Sequence, residues 1–347
     1  MSTLDQPILI ANSNYHVGHQ VAIFVAKEQG FLSEEGLKEY EYDARGLIPG
    51  PVERDGLGMA MTNHGVDIAT AVDVEAAIYQ RSLGADIYIA GGWRYTPFLR
   101  WYGAKHLTDM SKLRGGRIGM REKEGLVQVF ITDALRAAGV DPDKEVEWVY
   151  DPVFGYRNNP AHMEMLRSGK IEAITSQPPF SEQLEKEGYP MILDPNMVFP
   201  RRPGKLTVAT GQMIEKRADE LRAYFRAIIR AFWFMRDVKN FEYLRDLEKK
   251  LRKTNTHNEH ERGVVAIVTS PDRVESWALP VDGGIAPEAV QRIADEMVKS
   301  GKLAQPMSAK DILRDDAVKQ AYREVSSRPE LKTPFGIALA AHEKYGF

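Results

Sequence analysis

No cysteine occurs among the 347 residues. Disulfides, thiolate nucleophiles, zinc–thiolate sites and iron–sulfur clusters are therefore excluded. An excess of one charge is also lacking: 46 Lys and Arg stand against 49 Asp and Glu, a formal net charge of −3. That balance gives no electrostatic basis for nucleic acid or an anionic membrane surface as partner. No stretch approaches the roughly 18 consecutive apolar residues of a membrane span, so no direct membrane insertion is expected. Internal repeats and low-complexity segments are missing, and so are the G-x-S-x-G, P-loop, H-E-x-x-H and Rossmann glycine fingerprints. No leader is expected from the sequence as it stands. Met1 to Pro7 carry no Lys or Arg, the first positive charge is Lys27, and the apolar run Ile8 to Ala11 is far shorter than a secretory core. The expectation is a cytoplasmic protein; a signal sequence removed upstream of Met1 turns it to the periplasm.

What is present is an ordinary globular composition, 43% hydrophobic and 27% charged, with length for two domains of about 100–200 residues. Short apolar runs alternate with stretches of helical period, which predicts an α/β fold. Ile8 to Ala11 reads as a strand feeding Asn12-Ser13-Asn14, and Val21, Phe24 and Val25 recur at helical spacing up to Gly30. Val66 to Ala69, Asp86 to Ala90, Leu99 to Tyr102, Val146 to Tyr150 and Ile171 to Thr175 read as further strands. Gly125 opens a helix that Gly139 stops. The last third is more helical: Leu221, Phe225, Ile228, Phe232 and Met235 keep a spacing of three to four, and Asp282-Gly283-Gly284 is a loop opening another helix.

Four segments carry a resemblance. They are Ile23 to Leu37 (IFVAKEQGFLSEEGL), Val66 to Ala69 (VDIA), Leu107 to Gly119 with Leu166 to Ile174 and Gln177 to Phe180, and Leu279 to Leu303. Taken in order, they resemble the type II periplasmic-binding-protein fold of the aliphatic-sulfonate, nitrate and thiamine-precursor binding group, which includes the thiamine-pyrimidine synthases. The resemblance implies two α/β lobes joined by two crossovers, one lobe built from residues 1–99 plus 205–347 and the other from 100–204. It implies a ligand cleft between the lobes, lined by strand-end loops and helix N-termini. It also implies a small-molecule ligand and, for an exported chain, an ABC permease as partner.

The candidate binding residues lie in those strand-end segments. Asn12, Asn14, Tyr15 and His16 offer amides, a phenol and an imidazole; as an alternative, such residues simply cap the following helix. Trp93 and Tyr95 are suited to stacking on a planar ligand, Arg94 to pairing a carboxylate, and Thr96 to a hydrogen bond, or the aromatics fill an interface. Gln177 and Phe180 end the strand of the second lobe. Arg121 stands where the resembling proteins place a Gly-Ser or Gly-Thr turn that holds the ligand's acidic group on backbone amides. Asp73 is read as the N-cap of the helix after VDIA. His16 and His19 form an H-x-x-H, too few ligands for a metal site; no metal and no other cofactor is expected.

Two functions follow. The first is a binding protein for an organic anion or aromatic acid, like the substrate-binding component of an ABC transporter. The alternative is a soluble enzyme on the same fold, such as a decarboxylase or lyase of an aromatic or heterocyclic acid. The catalytic His of the pyrimidine synthases has no counterpart in Val72 to Ile78, and the Cys-dependent chemistry of those enzymes and of the desulfinases is excluded by composition.

Overall fold

The computed structural model describes residues 7–12, 17–37, 40–43, 61, 65–95, 100–120, 126–150, 159–176, 180–194, 202–254 and 282–331. Contacts divide the chain into two units, Met1–Thr96 with Arg201–Phe347, and Pro97–Pro200.

Unit 1 opens with β1 (Ile8–Asn12), α1 (Val17–Glu28), α2 (Phe31–Glu34), β2 (Tyr40–Asp43), β3 (Ile68–Asp73), α3 (Val74–Ser82) and β4 (Ile87–Tyr95). Its sheet is completed only when the chain returns as β10 (Pro203–Thr210), in the order β2-β1-β3-β10-β4. β1 is parallel to β2 and β3, whereas β10 runs antiparallel to both its neighbours. β3 and β10 are buried along nearly their whole length, which explains their near-continuous apolar runs: helices cover both faces, so alternation is lost. Ala71 in β3 has φ +56°, the one non-glycine in the left-handed region among the described residues. The strain falls where β10 shifts register between Leu206 and Val208.

The helices after β10 are α7 (Gly211–Lys216), α8 (Ala218–Arg236), α9 (Phe241–Thr254), α10 (Pro287–Lys299), α11 (Ala309–Ile312) and α12 (Asp316–Ser326), by numbering that leaves α4 to α6 for unit 2. The apolar stripe of α8 is buried at Leu221, Phe225, Ile228, Phe232 and Met235, as its period demands. The Asp282-Gly283-Gly284 loop does more than open α10. Gly283 takes φ +64°, and its carbonyl accepts from Gly92 N–H of β4 at 2.6 Å. A Cβ on Gly91 would lie 2.5 Å from the Phe225 ring and 3.0 Å from that same carbonyl. Glycine at position 91 is thus what lets this loop and α8 close on the sheet.

Unit 2 contains β5 (Arg100–Gly103), β6 (Arg117–Met120), α4 (Leu126–Ala137), β7 (Glu147–Tyr150), α5 (Asn159–Arg167), β8 (Ala173–Ser176), α6 (Phe180–Lys186) and β9 (Met191–Leu193). The sheet order is β7-β6-β8-β5-β9, with β5 antiparallel to β8 and β9. Successive β5 residues serve opposite faces: Trp101 joins the cluster with Leu113, Ile131 and Leu135, and Tyr102 the one with Met163, Leu166 and Leu184.

One polar knot ties three helical segments of unit 1 together. Glu35, just past α2, is buried, and its carboxylate accepts from Arg226 and Arg230 of α8 and, through both oxygens at 2.6 Å, from Arg328 beyond α12. Arg226 also donates to the Glu35 backbone carbonyl at 2.7 Å. Burial alone pushes this carboxyl up, but the hydrogen bonds from Arg328 and Arg230 outweigh it and hold Glu35 below its ordinary 4.5. Replacing Glu35→Gln leaves the guanidiniums without their shared counter-charge and is expected to cost about 3 kcal/mol in urea unfolding. Because the folded-state pKa is lowered, the stabilisation is complete above 4.5 and is lost as pH falls from there through the folded value. The gap between wild type and variant therefore narrows on acidification; a gap that stays constant contradicts this assignment.

Candidate functional site

The carboxyl ends of β1, β3 and β4 meet the amino end of β10 at one edge of the unit 1 sheet. In α/β folds this is the edge that takes ligands. Asn12, the last residue of β1, is buried, and Thr70 Oγ1 donates to its Oδ1 at 3.4 Å. One level further out, Lys205 of β10 stands in register with Asp73 on one side and Arg94 on the other. Lys205 Nζ donates to Asp73 Oδ1 at 2.7 Å. The Lys205 side chain is 11% exposed, that of Asp73 59%. Asp73 occupies the N-cap position of α3, as its sequence context suggests, but makes no capping hydrogen bond there. Lys205 has taken its carboxylate instead.

Arg202 precedes β10 and is buried at the same edge. Its Nη2 lies 3.2 Å from Glu75 of α3 and 3.8 Å from Glu296 of α10. Side-chain exposures are 2% for Arg202 and 19% and 23% for the two carboxylates, so solvent has little access to this group of three. Neither Lys205 nor Arg202 was among the candidates that sequence reading offered. A lone Lys in the apolar run Pro203 to Thr210 was the available signal, because an unpaired charge in a central strand is too costly to be incidental.

In unit 2 the corresponding edge holds Ser176, the last residue of β8, opposite Arg100 of β5. Ser176 is buried, and its hydroxyl has no hydrogen-bond partner among the described residues. Arg100 stays 3.9 Å from Glu185 and 3.9 Å from Asp194. Tyr102, next along the same face, donates to Glu185 at 2.5 Å. Burial, and then the bond to Glu185, push its phenol far above the ordinary range. At the end of β7, Gln128 Nε2 donates to Tyr150 OH at 2.9 Å.

Of the residues expected from sequence, Asn12 lies at the unit 1 edge. Arg94 and Tyr95 are described as backbone of β4, Arg94 level with Lys205; their side chains lie outside the described part. Trp93 is buried and meets Phe232 edge-on at 5.5 Å, so its ring belongs to the unit 1 core. Phe180 opens α6 and packs half-buried on the Tyr102 cluster. Asn14, Tyr15, His16, Thr96, Arg121 and Gln177 lie outside the described residues. Among the described residues no helix is long and apolar enough to cross a membrane.

A family model described as NMT1-like matches residues 15–247. No curated protein matches the chain. Among solved structures, the periplasmic sulfonate-binding protein SsuA of a sulfonate ABC transporter from Methylobacillus flagellatus KT is 14% identical, with 94% of this chain and 96% of that chain covered and a TM-score of 0.65. The periplasmic aliphatic sulphonate binding protein SsuA from Escherichia coli is 14% identical, covering 89% and 92%, with a TM-score of 0.61. The desulfurization enzyme DSZB is likewise 14% identical, covering 91% and 99%, with a TM-score of 0.57. At such identities the likeness establishes the fold, the two-lobed periplasmic-binding-protein type expected from sequence.

The orphaned Ser176 hydroxyl makes a direct prediction. Removing an unsatisfied buried group relieves a desolvation cost of about 1 kcal/mol or more. Ser176→Ala is therefore expected to melt no lower than wild type in the absence of added ligand; a clear drop in Tm would mean that the hydroxyl is satisfied within the protein.

Proposed function

The chain belongs to the NMT1-like family, and from that premise we propose that it binds a small organic anion, as the substrate-binding component of an import system. The observation that carries this reading is the row across the unit 1 edge, where the buried Lys205 stands in register between Asp73 and Arg94. A buried ammonium at the ligand-binding edge of an α/β sheet selects for negative charge, since a neutral or cationic ligand leaves its attraction unused. The sulfonate-binding proteins of like fold support the choice of an acidic ligand. In this reading the protein works in the periplasm with an ABC permease, as a component that crosses no membrane itself.

The likeness to DSZB favours a second reading, an enzyme on the same fold. With no cysteine in the sequence, such an enzyme would have to proceed without a thiolate. The binding reading needs no catalytic group and is preferred for that reason.

The experiment is isothermal titration calorimetry of the purified chain with nitrate, methanesulfonate and benzoate, with ethylamine as cationic control. Saturable one-to-one binding of at least one anion is expected, with Kd in the micromolar range, about −8 kcal/mol. Saturation by ethylamine with none by the anions would overturn the proposal.

A further inference from the structure

We infer that Lys205 is the contact that holds the ligand's acidic group, and that Asp73 is a built-in competitor which the ligand displaces. The inference rests on the proposal that the chain binds an organic anion, and it names the residues that set affinity for that charge.

The two members of this ion pair are unequal. Lys205 lies on a central strand with hydrogen-bonded neighbours on both sides, and its side chain is 11% exposed, so it cannot follow a departing partner. Asp73 ends its strand with a side chain 59% exposed, and touches Lys205 through one oxygen at 2.7 Å. The Arg202 group at the same edge is more closed, with its carboxylates, Glu75 and Glu296, only 19% and 23% exposed. Water reaches the acid of the Lys205 pair far more than the base, and that is the side from which another anion enters.

Asp73 also has somewhere to go. It stands at the N-cap position of α3 without making a cap bond. Released from Lys205, its carboxylate can accept from the first-turn N–H groups of α3, the role its residue type fulfils at most helix starts. The incoming anion then takes over the ammonium, and no charge is left uncompensated. A carboxylate, sulfonate or nitrate satisfies these requirements. A ligand without negative charge does not, because Asp73 is then the better partner.

Two substitutions have opposite signs under this exchange. Binding of nitrate, methanesulfonate and benzoate is measured by calorimetry on wild type, Lys205→Met and Asp73→Asn, with Tm and circular dichroism recorded for each. For whichever anion binds, Lys205→Met is expected to lose about tenfold or more in affinity. Asp73→Asn, which keeps the side chain's size and removes the competing charge, is expected to gain about threefold or more. If Lys205→Met does not fold, Asp73→Asn decides alone. Wild-type binding that Asp73→Asn weakens or leaves unchanged overturns the exchange but leaves the anion-binding proposal standing. Wild-type binding that a folded Lys205→Met retains in full does the same. Absence of anion binding by both wild type and Asp73→Asn overturns the two together.

Discussion

The unit 1 sheet depends on a strand that arrives late. Pro203–Thr210 inserts antiparallel between β3 and β4, and without it those two strands have no common partner. The first part of the chain can form β1, β2 and β3 in parallel, but β4 joins the sheet only through a segment reached after all of unit 2 has been made. Non-local closure of this kind is slow and pays its loop entropy before any contact is gained. It also brings the start of β10 to the edge where β3 and β4 end, so the pairing that completes the sheet is the pairing that sets Lys205 beside Asp73.

The same insertion explains where polar groups are tolerated inside unit 1. The strand is buried except at its exit, and Lys205 is its one charged residue. Arg202 just ahead of it is neutralised by helices α3 and α10, and Lys205 by the end of β3. On the helical side, α8 is fixed by an apolar stripe towards the sheet and by Glu35 with its arginines towards α2 and α12. The edge is thus held by buried pairings, with the Asp73 carboxylate as its exposed member.

Much of this was legible in the sequence because it is local. The period-two and period-3.6 patterns gave β1, α1, α4 and α8 close to their observed bounds. β4 was read too short, ending at Ala90, because Gly91-Gly92 looks like a break; pairing with β10 and docking of the Gly283 carbonyl are what keep residues 91–95 extended. Trp93 carried the right chemistry for a stacking platform, but only the fold reveals Phe232 against it. Asp73 was placed correctly at a helix start, while its partner lies 132 positions away and leaves no trace in local spacing. The lone charge of Lys205 in an apolar run was visible; what it pairs with was not.

The account turns on a ligand that is held and released unchanged. Native mass spectrometry of the chain after incubation with the tightest-binding anion, followed by recovery and identification of the small molecule, tests this directly. The account predicts a one-to-one adduct and quantitative return of the intact anion after prolonged incubation. Recovery of a decarboxylated or desulfonated product in excess over protein would contradict it, and would make the chain an enzyme.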